Sequence, residues 1–326
     1  MILAGDVGGT KVFVGLFEPD VPRPRPLNVR SFATGAFADL PSMLTAFLDG
    51  AGRTGATIES ACFGVAGPIV GDSAKLTNGD WVVNARSVAD ALDCRRVRLL
   101  NDLEAMAYGV PMLNASEVHA LQNGTPSPAG NIAVIAAGTG LGEALLVHVD
   151  GRLVASPSEA GNADFAARTE REIALFRDLL ARHGRVAVEH VVSGPGLVNI
   201  HRLTHGAQSC AAGIDPADAE APAAISRAAL DQRCTGCREA LDVFVGAYGA
   251  EAGNLALRTV ATGGVYVGGG IAVRILPALA AGGFMSAFRA KAPFERMLGQ
   301  VPVRVILNPE VGLLGAAGIA SRASER

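Results

Sequence analysis

Apolar residues along this chain fall into short continuous runs and longer runs at helical spacing, and glycine marks most of the changes between them. Ile2-Leu3-Ala4 reads as the end of a buried strand, and Val12-Phe13-Val14-Gly15-Leu16-Phe17 as the strand that returns from it. Four prolines within residues 19–26 read as a loop, and residues 29–33 alternate as an exposed third strand. Leu40, Met43, Leu44, Phe47 and Leu48 recur at helical spacing, and residues 60–66 form a buried strand that stops at Gly67-Pro68. Asn84 caps a short helix with Val88 and Leu92 inward, ahead of a strand at 97–100 and a helix at 102–108. Residues 132–137 and 144–149 are a second strand and its return. Helices follow at 170–183, from near Ala223, at 237–258 and at 311–320. The last strands lie at 264–267, ahead of a helix opening at Ile271, and at 303–307. Strands alternating with helices argue for a mainly parallel, doubly wound α/β architecture.

The chemistry gathers where strands end. Between the first strand and its return sits Gly5-Asp6-Val7-Gly8-Gly9-Thr10. One glycine is enough for a hairpin turn. The second glycine, with Asp6 before it and Thr10 after, points to more. Bare backbone N–H groups beside a hydroxyl can cradle a phosphate, and a carboxylate one step away can hold its magnesium through water. A tight hairpin with a capping Asp explains the hexapeptide equally well. The balance tips on a second copy, where residues 132–137 run into Gly138-Thr139-Gly140-Leu141-Gly142 and residues 144–149 return. Strand, Gly/Thr turn, strand thus occurs twice, which suggests two related halves with a phosphate pinched between two turns.

Asn101-Asp102 stands at the carboxyl end of a strand, the edge where open α/β sheets bind ligands. Asn101 with Glu104 also reads as a capping box. A capping Asn does not require Asp102, however, and a carboxylate in the first turn of a helix stays ionised and can accept a proton from a hydroxyl. Thr77-Asn78-Gly79-Asp80-Trp81 is a polar loop, Glu159 and Asn162 fall in a turn-rich segment, and residues 125–130 read as the linker between halves. Glu189, among valines ahead of Ser193-Gly-Pro-Gly196, reads from spacing alone as a solvated helix position. Gly268-Gly269-Gly270 allows either close approach to a nucleoside or plain strand–helix packing.

Composition narrows the classes. With 326 residues, 49% hydrophobic and 18% charged, the chain is long enough for two globular domains. A net charge of −3 without a basic stripe argues against nucleic acid. No apolar run is long enough for a membrane span: residues 265–288 are broken by Arg274, Pro277 and glycines. The start of the chain lacks a signal-peptide pattern, and five cysteines, an odd number, fit a reducing cytoplasm. Cys234-x-x-Cys237 is the only close cysteine pair, without neighbouring histidines in sequence, and reads as two cysteines on the first turn of a helix rather than as zinc ligands. Gly138-Thr-Gly-Leu-Gly142 leads into a strand and lacks the dinucleotide spacing, and no Gly-x-x-x-x-Gly-Lys-Ser/Thr loop occurs.

Taken together, Gly5 to Thr10, Leu100-Asn-Asp-Leu103, Gly138 to Gly142, Ser158-Glu-Ala-Gly161, Ser193-Gly-Pro-Gly-Leu-Val-Asn199 and Gly263 to Gly270 resemble the bacterial glucokinase family of the hexokinase/actin-like superfamily, nearly end to end. The resemblance implies two actin-like (ribonuclease H-like) α/β domains around a cleft: a small one of residues 1–111 plus 308–326 and a large one of residues 112–307. It implies ATP-dependent phosphorylation of the 6-hydroxyl of D-glucose by a cytoplasmic homodimer. It makes Asp102 the base, with Asn78, Asn101, Asp102, Glu159, Asn162 and Glu189 on the sugar. It assigns Asp6, Gly8, Gly9, Thr10, Gly138, Thr139, Gly140, Gly268, Gly269 and Gly270 to ATP, with Asp6 on the Mg²⁺ water shell. The family usually has His where this chain has Asn162, which leaves another hexose as substrate, or a non-catalytic sugar sensor, as alternatives.

Overall fold

Why the first hairpin forms where it does is visible in a computed structural model, which describes residues 1–20 and 22–324. The strand Ile2–Val7 pairs antiparallel with Lys11–Glu18 and parallel with Ser60–Val65. It is central and covered on both faces, so its apolar residues run without alternation. The sheet order is Arg25–Ala33, Lys11–Glu18, Ile2–Val7, Ser60–Val65, Val97–Asn101. Backbone contacts divide the chain into two units: Met1–Ala115 with Arg152–Pro157 and Asn308–Arg326, and Ser116–Gly151 with Ser158–Leu307. This sheet belongs to the first.

The helix Leu40–Gly50 is started by an Asp39 capping box and packs Leu40, Met43, Leu44 and Phe47 into the core of the first unit. At roughly 1.5–3 kcal/mol for each fully buried side chain, this face outweighs any propensity term in placing the helix. The helix Val311–Ser324 lies on Ile2–Val7, Ser60–Val65 and the helix Asp102–Gly109. A Cβ on Gly315 would sit 1.8 Å from the Ala105 carbonyl oxygen, and one on Gly109 2.2 Å from that of Val311. The two helices therefore touch backbone to backbone, which only glycine permits. This contact sets the height of Asp102 above the sheet.

In the second unit the strands run Leu141–Val149, Ile132–Ala137, Gly264–Gly268, Val303–Ile306, Val118–Gln122. The three inner ones are parallel. The 25-residue helix Thr235–Thr259 is buried over most of its circumference. Its Tyr248 hydroxyl accepts from the Ala137 N–H (3.1 Å) and lies 3.3 Å from the Gly268 carbonyl oxygen, clamping two neighbouring strand ends.

Several expectations need correction. The third strand begins at Arg25 and so includes Pro26, because it is an edge strand and the register slips at Leu16/Phe17, where a missing N–H costs no ladder bond. Residues 125–130 are not a linker between halves. They lie within the second unit, where the Thr125 N–H donates to Gln300 O (2.8 Å) and the Ser127 N–H to Thr262 O (2.9 Å). The helix Gly194–His205, unpredicted, starts in Gly-Pro-Gly because Ser193 caps the Gly196 N–H at 3.0 Å and proline suits the first turn. Cys234 and Cys237 do open a helix, yet His201 and His205 come to them from that unpredicted helix. Among the described residues no helix is long and apolar enough to cross a membrane.

Candidate active site

In the first unit the site is built around Asp6, at the end of the central strand. Its carboxyl is pushed up to about 7, first by burial and then by the charge of Asp102. Gly312, in the first turn of Val311–Ser324, makes room for it: a Cβ there would lie 2.6 Å from Asp6 Oδ2. The glycine turn beside it is braced at both ends. The Gly8 N–H donates to Lys11 O at 3.0 Å, the Thr34 hydroxyl donates to Gly8 O at 2.8 Å, and the Thr34 N–H donates to Thr10 O at 3.0 Å. Gly9 meets the polar loop, since a Cβ on it would stand 1.9 Å from the Asn78 carbonyl oxygen. Thr10 and Asn78 are exposed beside it.

Asn101 is both cap and candidate ligand. Its Oδ1 accepts from the Leu103 N–H at 2.9 Å, and its Nδ2 donates to Gly67 O at 3.3 Å. An amide offers two donor hydrogens and two acceptor lone pairs, so one of each is left for a substrate hydroxyl. Asp102 follows as the first residue of Asp102–Gly109, and its Oδ1 accepts from the same Leu103 N–H at 2.9 Å. Glu104 takes the other half of the capping arrangement, receiving the Asn101 N–H, with Arg98 at 3.7 Å. The capping reading of Asn101 is thus correct, and the cap is made without Asp102 being required for it. Two carboxyls close enough that one charge raises the pKa of the other are hard oxygen ligands of the kind that suit a divalent cation.

In the second unit the turn Gly138-Thr139-Gly140 closes by a 2.8 Å bond from the Gly138 N–H to Gly140 O. Glu189 is no solvated helix position. It sits in a one-turn helix, Val188–His190, and its Oε2 accepts the Leu141 N–H at 2.9 Å. A Cβ on Gly140 would fall 2.4 Å from that oxygen. Gly161 also closes on this strand end, since a Cβ on it would lie 2.0 Å from Leu141 O, and the exposed Glu159 and Asn162 flank it in the chain. Glu189 and the backbone segment that carries Glu159 and Asn162 therefore both lie beside the end of the second glycine turn. Gly269, with φ at +85° and its Cβ position 2.3 Å from Ala137 O, packs on that strand end, and Gly270 faces open space. Thr139, between Gly138 and Gly140, is exposed.

Sequence reasoning missed Gly312, Thr34 and Tyr248, which hold the site residues without belonging to it. Only Gly312 carried a signal, as one of three glycines spaced by three residues in an apolar helix. A depression of about 600 Å³ lined by Leu121, Leu279, Met285 and Arg289, among others, contains none of these groups.

A family model described as Glucokinase matches residues 3–323. A glucokinase of Nostoc punctiforme is 39% identical over 340 residues, covering 99% of each chain. One of Cronobacter sakazakii is 38% identical over 314 residues, covering 96% of this chain and 95% of the other. Among solved structures, a glucokinase from an Antarctic psychrotroph is similar at a TM-score of 0.87 and 30% identity, over 98% of both chains. A Balamuthia mandrillaris glucokinase, solved in complex with glucose, is similar at a TM-score of 0.76 and 21% identity, over 98% of this chain and 93% of that one. These likenesses bear out the actin-like α/β fold expected from the sequence.

Proposed function

This chain belongs to the glucokinase family, and on that premise we propose that it transfers the terminal phosphoryl group of ATP to the 6-hydroxyl of glucose, with Asp102 as the base. The observation that carries the reading is the pairing of Asp6 and Asp102 beside a glycine turn, in which one carboxylate raises the pKa of the other. Two acids held in such a relation serve a metal and a proton rather than an ion pair.

Phosphoryl transfer passes through a loose transition state, so positioning and charge neutralisation do most of the work. Magnesium bound with the nucleotide would supply that neutralisation. Asp6 would hold the ion's water shell, and the N–H groups and hydroxyls of Gly8-Gly9-Thr10 and of Gly138-Thr139-Gly140 would hold the phosphates. Asp102 orients the 6-hydroxyl and accepts its proton as the bond to phosphorus forms. Asn78, Asn101, Glu159, Asn162 and Glu189 bind the remaining hydroxyls, and Gly268, Gly269 and Gly270 the nucleoside. Glu189 is preset for this role, because its bond to the Leu141 N–H fixes one oxygen and aims the carboxylate before substrate arrives. The reading includes a cytoplasmic homodimer, on the strength of family membership.

Asp102→Asn tests the assignment in a coupled assay of glucose 6-phosphate formation. The expected result is a fall in kcat of about 100-fold or more with glucose KM little changed. Retention of more than about a tenth of kcat removes Asp102 from the role of base. Asn162, where the family usually has His, favours a second reading, a preference for another hexose. Mannose or an amino sugar outrunning glucose in the same assay would establish it.

A further inference from the structure

Five soft-donor side chains that the proposed reaction does not use lie together in the second unit. His201 and His205 stand one turn apart on the helix Gly194–His205, so both project from one face. Cys210 lies on the chain that follows, and Cys234 and Cys237 are the cap and third residue of Thr235–Thr259. Cys210 Sγ is 3.6 Å from Cys237 Sγ and 3.8 Å from Cys234 Sγ, and His205 Nε2 is 3.2 Å from Cys234 Sγ. One ligating atom from each of His201, His205, Cys210 and Cys237 falls within 4.8 Å of all the others. A tetrahedron with zinc–sulfur bonds of about 2.3 Å has edges of about 3.8 Å, shorter where nitrogen replaces sulfur. Cys210 Sγ and Cys237 Sγ already stand at about that spacing, and the four ligating atoms together lie within about 1 Å of it. A disulfide would require sulfurs roughly 2 Å apart, and all the cysteines are free thiols.

Three further observations point the same way. His201 is 2% exposed, and neither of its ring nitrogens has a hydrogen-bond partner. A buried imidazole left in that condition calls for an explanation, and a metal bond is one. His205 Nδ1 lies 2.9 Å from the His201 carbonyl oxygen. A carbonyl only accepts, so Nδ1 carries the hydrogen and the lone pair of Nε2 is turned toward the sulfurs, as metal-bound histidines are held. Gly236, between the two cysteines, has its Cβ position 2.6 Å from His205 Cε1 and 2.7 Å from Nε2, so a side chain there would push the ring away.

We propose that His201, His205, Cys210 and Cys237 bind a structural zinc ion, with the Cys234 thiol beside them. Two imidazoles and two thiols select a borderline-soft cation over magnesium, and four protein ligands close the coordination sphere, as in structural rather than catalytic sites. On binding, the two cysteine thiols lose their protons to solvent and the ion joins the end of one helix, the loop after it and the start of another.

The test is metal analysis of the full chain purified without chelator, then loaded with zinc salt and passed through gel filtration. The expected content is about one zinc per chain, and replacement by cobalt(II) should give thiolate charge-transfer bands and the strong visible bands of a tetrahedral site. Cys237→Ser and His201→Asn should lower the zinc content to about a tenth or less. Should either fail to fold, Cys210→Ser, at a partly exposed position, serves in its place, with circular dichroism as the check on folding. Removal of zinc should lower Tm by several degrees without altering the magnesium dependence of sugar phosphorylation. Zinc below about half an equivalent after loading, zinc undiminished in the folded variants, or a cysteine pair found oxidised would each overturn the proposal.

Discussion

The two glycine turns share a backbone plan and differ in the company they keep. Each follows the end of a central strand, Val7 pairing with Val12 in one and Ala137 with Leu141 in the other. One step back along the strand, the first has Asp6 and the second Ala136. The first turn thus stands beside a half-buried acid with a raised pKa, and the second beside a carboxylate, Glu189, satisfied by a backbone N–H. The same bend can serve a metal-bound phosphate or a neutral set of amide donors, depending on what the surrounding helices bring to it. The repeated element supplies geometry, and the neighbours supply charge.

Glycine substitutions separate these roles most sharply. Gly312→Ala forces Asp6 aside, and Gly140→Ala forces Glu189 aside. Misplacement by about an ångström can cost up to about 100-fold. We expect Gly312→Ala to raise the Mg²⁺ concentration needed for half-maximal rate while glucose KM moves less than about twofold. Gly140→Ala should raise glucose KM by about tenfold or more at unchanged Mg²⁺ requirement. The reverse pattern would break the comparison.

The raised pKa of Asp6 gives a second, smaller effect. Burial and Asp102 disfavour its ionised form, so without metal it holds its proton up to about pH 7. The rate at limiting Mg²⁺ should therefore fall as pH drops below about 7, and excess Mg²⁺ should move that limb toward lower pH. For stability the sign is opposite. The folded form binds this proton more tightly than the unfolded chain, so the contribution is complete below the ordinary 3.8 and is lost as pH rises through about 7. Asp6→Asn should flatten Tm against pH across that window, and an unchanged slope would remove Asp6 as its source.

The second unit has its own buried acid, away from the bend. Glu143 is fully buried, neither carboxyl oxygen has a hydrogen-bond partner, and burial with help from Glu251 pushes it up to about 8. Its stability contribution is complete below 4.5 and lost as pH rises through about 8. Glu143→Gln should raise Tm at pH 8 by about 2–4 °C for each kcal/mol recovered, and do nothing at pH 4. A gain at both values would point to packing instead of charge.

Much of this was legible in the chain itself. The glycine hairpins, the Asp102 helix and the 170–183 helix follow from apolar spacing and end residues, and the structure has them at Asp102–Gly109 and Glu170–His183. The short strands Val118–Gln122 and Ser73–Lys75 were not legible, because each is too short to show alternation. Glu189 looked ordinary because its partner, the Leu141 N–H, lies far along the chain. For the same reason Cys234-x-x-Cys237 looked like a bare helix start, though His201, His205 and Cys210 stand against it.

Local rules act over a few residues, and they were sufficient to place strands, caps and turns and to mark Asp6, Asn101 and Asp102 as chemistry at strand ends. Packing alone settled which groups meet. Gly312 comes from the opposite end of the chain to make room for Asp6, and two helices that no short-range signal links carry the thiols and imidazoles to one point. A pKa, a preset carboxylate and a ligand cluster all depend on distances through space, and those exist only once the core has closed.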